Sequence, residues 1–124
     1  MRALANVFKA LSDETRLKML GLLLERGELC VCDFVEVLQI TQSKASRHLR
    51  HLVNAGLLDD RREAIWVYFR IADAPEPAQA AILAALPTAL GDRVPAAIFE
   101  RLEQWSRRKQ QAATCCKEEA ARPV

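Results

Sequence analysis

Two pairs of cysteines are the residues whose types and spacing most directly suggest chemistry. Cys30 and Cys32 are separated by one residue in the segment Glu28–Asp33, and Cys115 and Cys116 are adjacent near the end of the sequence. Thiolates select soft, thiophilic ions, and a pair of thiols can also be oxidised. We therefore predict a metal or metalloid site at Cys30 and Cys32, with Cys115 and Cys116 as further candidate metal ligands. A redox-active thiol pair is the alternative.

The first cysteine pair is predicted to lie in the first turn of a short helix that spans about residues 29–38. The positive end of a helix dipole favours thiolates, whereas a cysteine with only a structural role would be a small buried hydrophobe. Residues i and i+2 point roughly 200° apart on a regular helix. We therefore expect Cys30 and Cys32 to hold one ion only if this turn unwinds, which would displace the helix that follows.

The following helix, with Thr41 as its N-cap, carries groups that fit the major groove of DNA. Ala45, Leu49, Leu52 and Val53 form one apolar stripe, while the opposite face bears amide, hydroxyl and guanidinium groups. For this helix considered alone, a solvated amphipathic helix is the alternative. We predict DNA-binding roles for Gln42, Ser43, Lys44, Ser46, Arg47, His48, Arg50, Arg61 and Arg62.

Helices and a hairpin are predicted to position these groups. Residues 4–11 form a first helix and Ser12 caps a second one. The helix at residues 29–38 is joined to the DNA-binding helix by a four-residue joint, which makes a helix-turn-helix. Residues 57–71 then predict two strands about a polar turn near residues 61–63. Such a ribbon is a wing, whose tip arginines can contact phosphates or the minor groove.

The C-terminal third of the sequence is predicted to be helical. Residues 78–86 are apolar nearly all round, which favours burial against a second copy of so small a domain. A break at residues 87–95 precedes a helix with one apolar face, and the chain turns polar from about Arg107. We divide the sequence into a DNA-binding and dimerisation domain at residues 1–90 and a C-terminal helix with a cysteine-bearing tail at residues 91–124.

Composition limits the classes of function. The chain has 124 residues, a hydrophobic fraction of 51% and a formal net charge of +2, so nucleic-acid binding must come from local clusters of basic residues. No apolar run approaches the roughly 20 residues of a membrane span, and the first residues carry no cleavage signal, so we expect a cytoplasmic protein without membrane association. Both histidines, His48 and His51, lie in the predicted DNA-binding helix. This leaves no histidine for a general base elsewhere and argues against an enzyme.

Four ordered segments of the sequence carry a recognisable pattern: Leu11–Leu20, Glu28–Asp33, Gln42–Leu49 and Ala55–Leu58. Together they closely resemble the ArsR/SmtB family of bacterial metalloregulatory repressors, over about residues 2–71. The resemblance implies a mainly α, dimeric winged helix-turn-helix fold with a two-stranded β wing. It also implies a homodimer that binds a two-fold symmetric, double-stranded operator and leaves when its inducer binds. In the arsenic-responsive branch, which the cysteine pair favours, the inducer is As(III) or Sb(III) and there is no constitutive cofactor.

The resemblance leaves the details of the inducer open. Arsenic-sensing members often have a third cysteine shortly after the pair, whereas Phe34–Val37 supply none. Cys115 or Cys116 could supply the third sulfur, in the same chain or across the dimer; the alternatives for this adjacent pair are an accessory thiol clamp, a strained disulfide or no part in sensing. A methylated trivalent arsenical would need only two thiolates. The cadmium- and lead-sensing branch shares the segment at residues 28–33 but has additional N-terminal cysteines. The zinc, cobalt and nickel branches use pairs of histidine and carboxylate on late helices, where this sequence has no histidine.

Overall fold

Residues 1–111, the part of the chain that the computed structural model describes, form six α-helices and one small antiparallel sheet. The elements are α1 (Arg2–Leu11), α2 (Glu14–Arg26), β1 (Glu28–Cys30), α3 (Val31–Leu38), α4 (Gln42–Asn54), β2 (Leu58–Glu63), β3 (Trp66–Ile71), α5 (Pro77–Leu90) and α6 (Ala96–Gln111). This is the mainly helical, winged helix-turn-helix order of elements that the sequence predicts.

The core lies between α2, α3, α4 and the sheet. Three residues of the predicted apolar stripe of α4, Ala45, Leu49 and Leu52, are fully buried together with Leu20 of α2 and Phe34 of α3, while the fourth, Val53, is half-buried. Each such leucine or phenylalanine stabilises the fold by about 1.5–3 kcal/mol relative to an exposed side chain. The buried stripe determines how α4 is rotated, and it leaves the polar face of this helix exposed to solvent.

Local side-chain caps set where α2 and α4 begin. Thr41 accepts a hydrogen bond from the Lys44 amide at 3.1 Å, as predicted for the start of α4. The prediction that Ser12 caps α2 is wrong, because the Ser12 hydroxyl donates to the Lys9 carbonyl at the end of α1. The next residue, Asp13, accepts an amide of the first turn of α2 instead.

The sheet has the strand order β1–β3–β2, and both pairs of strands are antiparallel. Its first strand pairs Cys30 with Tyr68 of β3, so α3 begins at Val31. The prediction that this helix begins at about residue 29 is therefore wrong. β1 is extended because a strand far along the chain satisfies its backbone hydrogen bonds, and three residues by themselves carry no signal of such a partner.

The wing turns at residues 64–65 rather than near residues 61–63 as predicted, so Arg61 and Arg62 lie within β2 and not at the tip. β2 is an edge strand of the sheet. An edge strand exposed to water tolerates a run of polar side chains, and for this reason the polar run does not mark the turn.

Two predicted boundaries in the C-terminal third are also wrong. α5 runs through Pro87 and ends at Leu90. Proline removes only one helical hydrogen bond, and the burial of Leu86 and Leu90 in the core offsets that loss. α6 extends to Gln111, so the polar stretch that was predicted to begin at about Arg107 starts inside this helix. In the described part of the chain, no helix combines the length and apolar character needed to cross a membrane.

Candidate thiol site and nucleic-acid interface

The sulfurs of Cys30 and Cys32 lie in contact at the junction of β1 and α3. Cys30 is the last residue of β1 and the N-cap of α3, with extended backbone angles (φ −92°, ψ 168°), and Cys32 lies in the first turn of the helix. The two Cα atoms are 5.4 Å apart and the Sγ atoms meet, as in a disulfide. The premise that both cysteines lie on one regular helical turn with their side chains pointing apart is therefore wrong.

Asp33 is a buried carboxylate that joins this junction to α6. Its Oδ2 accepts a hydrogen bond from the Cys30 amide at 2.8 Å, and its Oδ1 accepts from Trp105 Nε1 and Lys109 Nζ, each at 2.7 Å. The side chain is only 6% exposed, so these donors stabilise its charge in place of water. A carboxylate oxygen of Asp33 and the sulfurs of Cys30 and Cys32 lie within 4.8 Å of one another. We call these three residues the thiol site.

Lys109 brings a positive charge from α6 to the thiol site. Besides its ion pair with Asp33, its Nζ lies 4.0 Å from Cys30 Sγ and 5.9 Å from the ring centre of Trp105. Sequence reasoning missed the roles of Asp33, Trp105 and Lys109. A carboxylate three residues after an N-cap is a local signal that could have found Asp33. The two α6 residues lie 72 and 76 positions further along the chain and left no such signal.

The polar face of α4 is exposed, as predicted, but its charged groups are not equivalent. Within residues 1–111, Lys44 and Arg47 have no carboxylate partner, whereas Arg50 donates to Asp60 of β2 at 3.2 Å. Lys44 and Arg47 are therefore the cations of this face most available to an external anion. The exposed side chains of the face are Gln42, Ser43, Lys44, Ser46, Arg47 and Arg50.

Arg61 ties the wing to β1. Its guanidinium donates to Glu28 at 2.7 and 2.9 Å and to Glu63 at 2.8 Å, and it lies 4.5 Å from the ring centre of Tyr68. The hydrogen bond from Arg61 lowers the pKa of Glu28, and the two glutamates raise the pKa of Arg61. A phosphate contact by Arg61 would compete with these partners. Arg62 has no ion pair in the described part of the chain.

Arg16 of α2 holds His48 of α4 in place. Its guanidinium donates to the Ala10 and Lys9 carbonyls at 2.7 and 3.1 Å, and its Nη1 lies 3.1 Å from His48 Nδ1. Since arginine only donates, Nδ1 accepts, and we assign the proton of the neutral imidazole to Nε2. Burial lowers the pKa of His48; the charge of Asp13 opposes this shift and the surrounding cations reinforce it.

A concave surface between α2 and α4 continues the basic face of α4. It has no carboxylate in its lining, and it therefore enlarges the area that could accept a phosphate backbone. The residues that line it are Thr15, Arg16, Ile40, Lys44, Arg47, His48 and His51.

Comparison with known proteins places this arrangement of helices and strands in a family. The family model described as "Bacterial regulatory protein, arsR family" matches residues 13–60, from the cap of α2 into β2. Over 73 residues the chain is 40% identical to the "Arsenical resistance operon repressor" of Bacillus subtilis (strain 168), with 59% of this chain and 70% of that protein covered. The chain belongs to the arsR family.

Two further similarities concern a curated relative and a solved structure. The chain is 51% identical over 65 residues to the "Arsenic resistance transcriptional regulator ArsR1" of Pseudomonas putida, covering 52% of this chain and 51% of that protein. It thus spans about half the length of that relative. The homodimeric winged helix-turn-helix DNA-binding domain Mb0332 of Mycobacterium bovis matches with a TM-score of 0.60 and 29% identity, over 77% of this chain and 84% of that one. The arsR family consists of bacterial regulatory proteins, in agreement with the prediction of a regulator rather than an enzyme.

In this arsR-family chain, the structure brings together some of the predicted site residues and separates others. Cys30 and Cys32 meet, and six of the predicted α4 residues are exposed, whereas His48 is half-buried against α2 and Arg61 and Arg62 lie apart from them on β2. Cys115 and Cys116 lie outside the described residues, so their contribution to the site stays a prediction.

Proposed function

We propose that the protein is a cytoplasmic, homodimeric transcriptional repressor that binds double-stranded operator DNA and releases it when As(III) or Sb(III) binds its thiols. The observation that supports this most directly is the contact of Cys30 and Cys32 at the start of α3. That helix immediately precedes α4, whose polar face is exposed. The two curated relatives carry names that refer to arsenic resistance, which supports the same class of inducer.

DNA binding is proposed for the polar face of α4 and for the wing. Arg47 or Arg50 would hydrogen-bond to guanine and Gln42 to adenine, because these side chains match base edges in the major groove. Arg47 is the better candidate, because Arg50 already has a carboxylate partner. Ser43 and Ser46, near the N-terminus of α4, would hold phosphate. Further contacts with the phosphate backbone of the DNA are proposed for Lys44, His48, Arg61 and Arg62.

Binding of the inducer would weaken binding of the operator through a movement of α3. Two sulfurs that bind one ion lie farther apart than two sulfurs joined in a disulfide, because the ion lies between them. Reduction of the pair followed by inducer binding would therefore separate Cys32 from Cys30 and shift the first turn of α3. Phe34 and Val37 of this helix are buried in the core that also holds α4, and only residues 39–41 separate the two helices. A shift of α3 is thereby coupled to the face that binds DNA, as reciprocal coupling requires.

A homodimer is proposed because α1 and α5 leave apolar side chains and small residues exposed. Leu4 and Phe8 on α1 are 37% and 57% exposed, and the exposed face of α5 is rich in alanine. A concentration of exposed apolar groups is typical of an interface. The occupant proposed for it is a second copy of this chain, and the Mycobacterium bovis neighbour is described as homodimeric.

The replacement of Cys30 by serine tests the inducer site. We expect Cys30→Ser to bind DNA as the wild type does and to keep it in the presence of arsenite, because one of the two sulfurs is gone while the fold of α4 is unchanged. The measurement is the fluorescence anisotropy of a labelled duplex that the purified protein has selected from a random pool. Normal release of the duplex from Cys30→Ser would show that the site is assigned wrongly.

The double variant Cys115→Ser/Cys116→Ser, measured in the same assay, tests the source of a third sulfur. If it needs far more arsenite than the wild type, the tail completes the site. If it responds like the wild type, Cys30 and Cys32 suffice.

The contact between the two sulfurs also favours a second candidate, a repressor that responds to oxidation of Cys30 and Cys32. Parallel titrations of the protein–DNA complex with arsenite and with peroxide distinguish the two candidates. Release by peroxide alone would favour the redox repressor, and release by Cd²⁺ or Pb²⁺ alone would favour a divalent inducer.

A further inference from the structure

Lys109 makes the thiol site different from a simple pair of sulfurs. Its ammonium group lies 4.0 Å from Cys30 Sγ and 2.7 Å from Asp33 Oδ1. The Lys109 side chain is 38% exposed, whereas that of Asp33 is only 6% exposed. A ligand held by the sulfurs therefore lies close to this positive charge.

Asp33 is engaged in hydrogen bonds and is not free to act as a metal ligand. Its Oδ2 holds the Cys30 amide, and its Oδ1 accepts from both Trp105 and Lys109. Coordination of a metal through Oδ1 would displace these donors and leave a partly buried indole N–H without an acceptor, which is unfavourable. To an incoming ligand the thiol site thus offers two sulfurs and one hydrogen-bond donor.

We propose that Lys109 determines the class of inducer by donating a hydrogen bond to an oxygen atom that the inducer itself carries. The site then selects a hydroxylated trivalent metalloid over a divalent thiophilic cation. This inference rests on the proposed inducer site at Cys30 and Cys32.

Arsenous acid, As(OH)3, meets this requirement. Once a thiol reductant has converted Cys30 and Cys32 to two free thiols, two As–S bonds form and two As–O bonds break, and each displaced hydroxide leaves as water with the proton of one thiol. One hydroxyl group stays on arsenic, where it accepts the hydrogen bond from Lys109, and no oxidation state changes.

A divalent cation such as Cd²⁺ lacks this acceptor. Between the two sulfurs it would lie close to the ammonium of Lys109, which repels it. Asp33 could compensate only by leaving its donors on α6. The same lysine therefore favours one class of ligand and disfavours the other.

Substitutions of Lys109, measured with two matched arsenicals, test this proposal. Lys109→Met removes the donor and the charge, and Lys109→Arg keeps both. Arg108→Met is the control, because Arg108 is the adjacent cation on α6 and pairs with Glu36 at 3.4 Å. All variants carry Cys115→Ser and Cys116→Ser, are reduced and freed of reductant, and are titrated by isothermal calorimetry without DNA. The probes are arsenite, Cd²⁺ and methylarsonous acid, which carries a methyl group where bound arsenite keeps its hydroxyl.

We expect Lys109→Met to weaken arsenite binding about tenfold, as the loss of a charged hydrogen bond does. Binding of methylarsonous acid should not change, and Cd²⁺ should bind more tightly. Lys109→Arg and Arg108→Met should keep the parent ratio of the two arsenical affinities. An equal loss for both arsenicals, or no loss for either, would overturn the proposal. If the parent protein binds neither arsenical but the chain with all four cysteines binds arsenite, the tail completes the site, no hydroxyl stays on arsenic and the role of Lys109 is overturned. If the chain with all four cysteines binds no arsenical either, the inducer site itself is wrong, and the proposed function fails with it.

Discussion

The buried carboxylate of Asp33 connects the junction of β1 and α3, where the two cysteines lie, to α6. A buried charge is unfavourable unless hydrogen bonds replace its hydration. Here the donors come from two distant parts of the chain: the Cys30 amide at the start of α3, and Trp105 and Lys109 on α6. The positions of Cys30 and of α6 therefore depend on each other through this one residue.

His48 gives a prediction at the same scale, on the pH dependence of stability. Burial lowers the pKa of His48 in the folded chain; Asp13 opposes the shift, and Arg16, Arg47 and His51 reinforce it. As the pH falls below the ordinary histidine pKa, the unfolded chain takes up a proton before the folded chain does. The stabilisation is thus present above that pKa and is lost as the pH falls through the lower pKa of the folded state.

We therefore expect His48→Gln to have a smaller loss of unfolding free energy between about pH 7.5 and about pH 5.5 than the wild type has. Glutamine keeps an acceptor for Arg16 but does not titrate. Urea denaturation at the two pH values measures the difference. The same loss in both proteins would mean that other groups cause the pH dependence.

At the scale of elements, the docking of α6 on α3 gives a prediction for Trp105. Trp105→Phe keeps most of the apolar ring but removes the N–H that donates to Asp33. We expect the free energy of unfolding to fall by about 1–3 kcal/mol, because a buried carboxylate loses a donor. Urea denaturation measures it.

Trp66→Phe is the matched control for this change. Trp66 is a half-buried tryptophan of β3 whose side chain makes no hydrogen bond within residues 1–111. Equal destabilisation by the two substitutions would show that the loss of ring area, and not the bond to Asp33, accounts for the effect.

The wing and α6 both contact the region around Cys30. Arg61 of β2 holds Glu28 of β1, two residues before the cysteine, and α6 holds Asp33, three residues after it. The division of the chain at residues 90 and 91 stays a prediction, but these hydrogen bonds between α3 and α6 cross it. A ligand at the thiols would therefore act on α3, the wing and α6 together.

At the scale of the whole molecule, the exposed side chains of α1 give a prediction for the assembly. Phe8 is 57% exposed, and a charge placed there would be buried without a partner in the proposed homodimer. We expect Phe8→Asp to be a monomer in size-exclusion chromatography with light scattering, and to bind the selected duplex much more weakly than the wild type. Ile65→Asp, at an apolar residue that is 60% exposed on the wing tip, should remain a dimer. A dimeric Phe8→Asp would place the interface elsewhere.

The sequence by itself determined the features that depend on residues close together along the chain. The spacing of Ala45, Leu49 and Leu52 predicts which side of α4 is buried, and the Thr41 cap predicts where the helix begins; both agree with the structure. The residue types of the cysteine pair likewise predict thiol chemistry at Cys30 and Cys32. The helical spacing of apolar residues and an N-cap both involve residues within a few positions of one another, so a short segment of sequence is enough to predict them.

The tertiary structure alone decided which of these groups act together. β1 exists because it pairs with β3, and that pairing keeps Cys30 out of the helix and lets its sulfur meet that of Cys32. The buried negative charge of Asp33 is compensated by the ammonium group of Lys109, 76 positions further along the chain. Strand pairing and the compensation of buried charge are satisfied by whichever groups are close in space. No local pattern specifies those distant partners, and for this reason the contributions of β3 and α6 to the surroundings of the thiols were not predictable from the sequence.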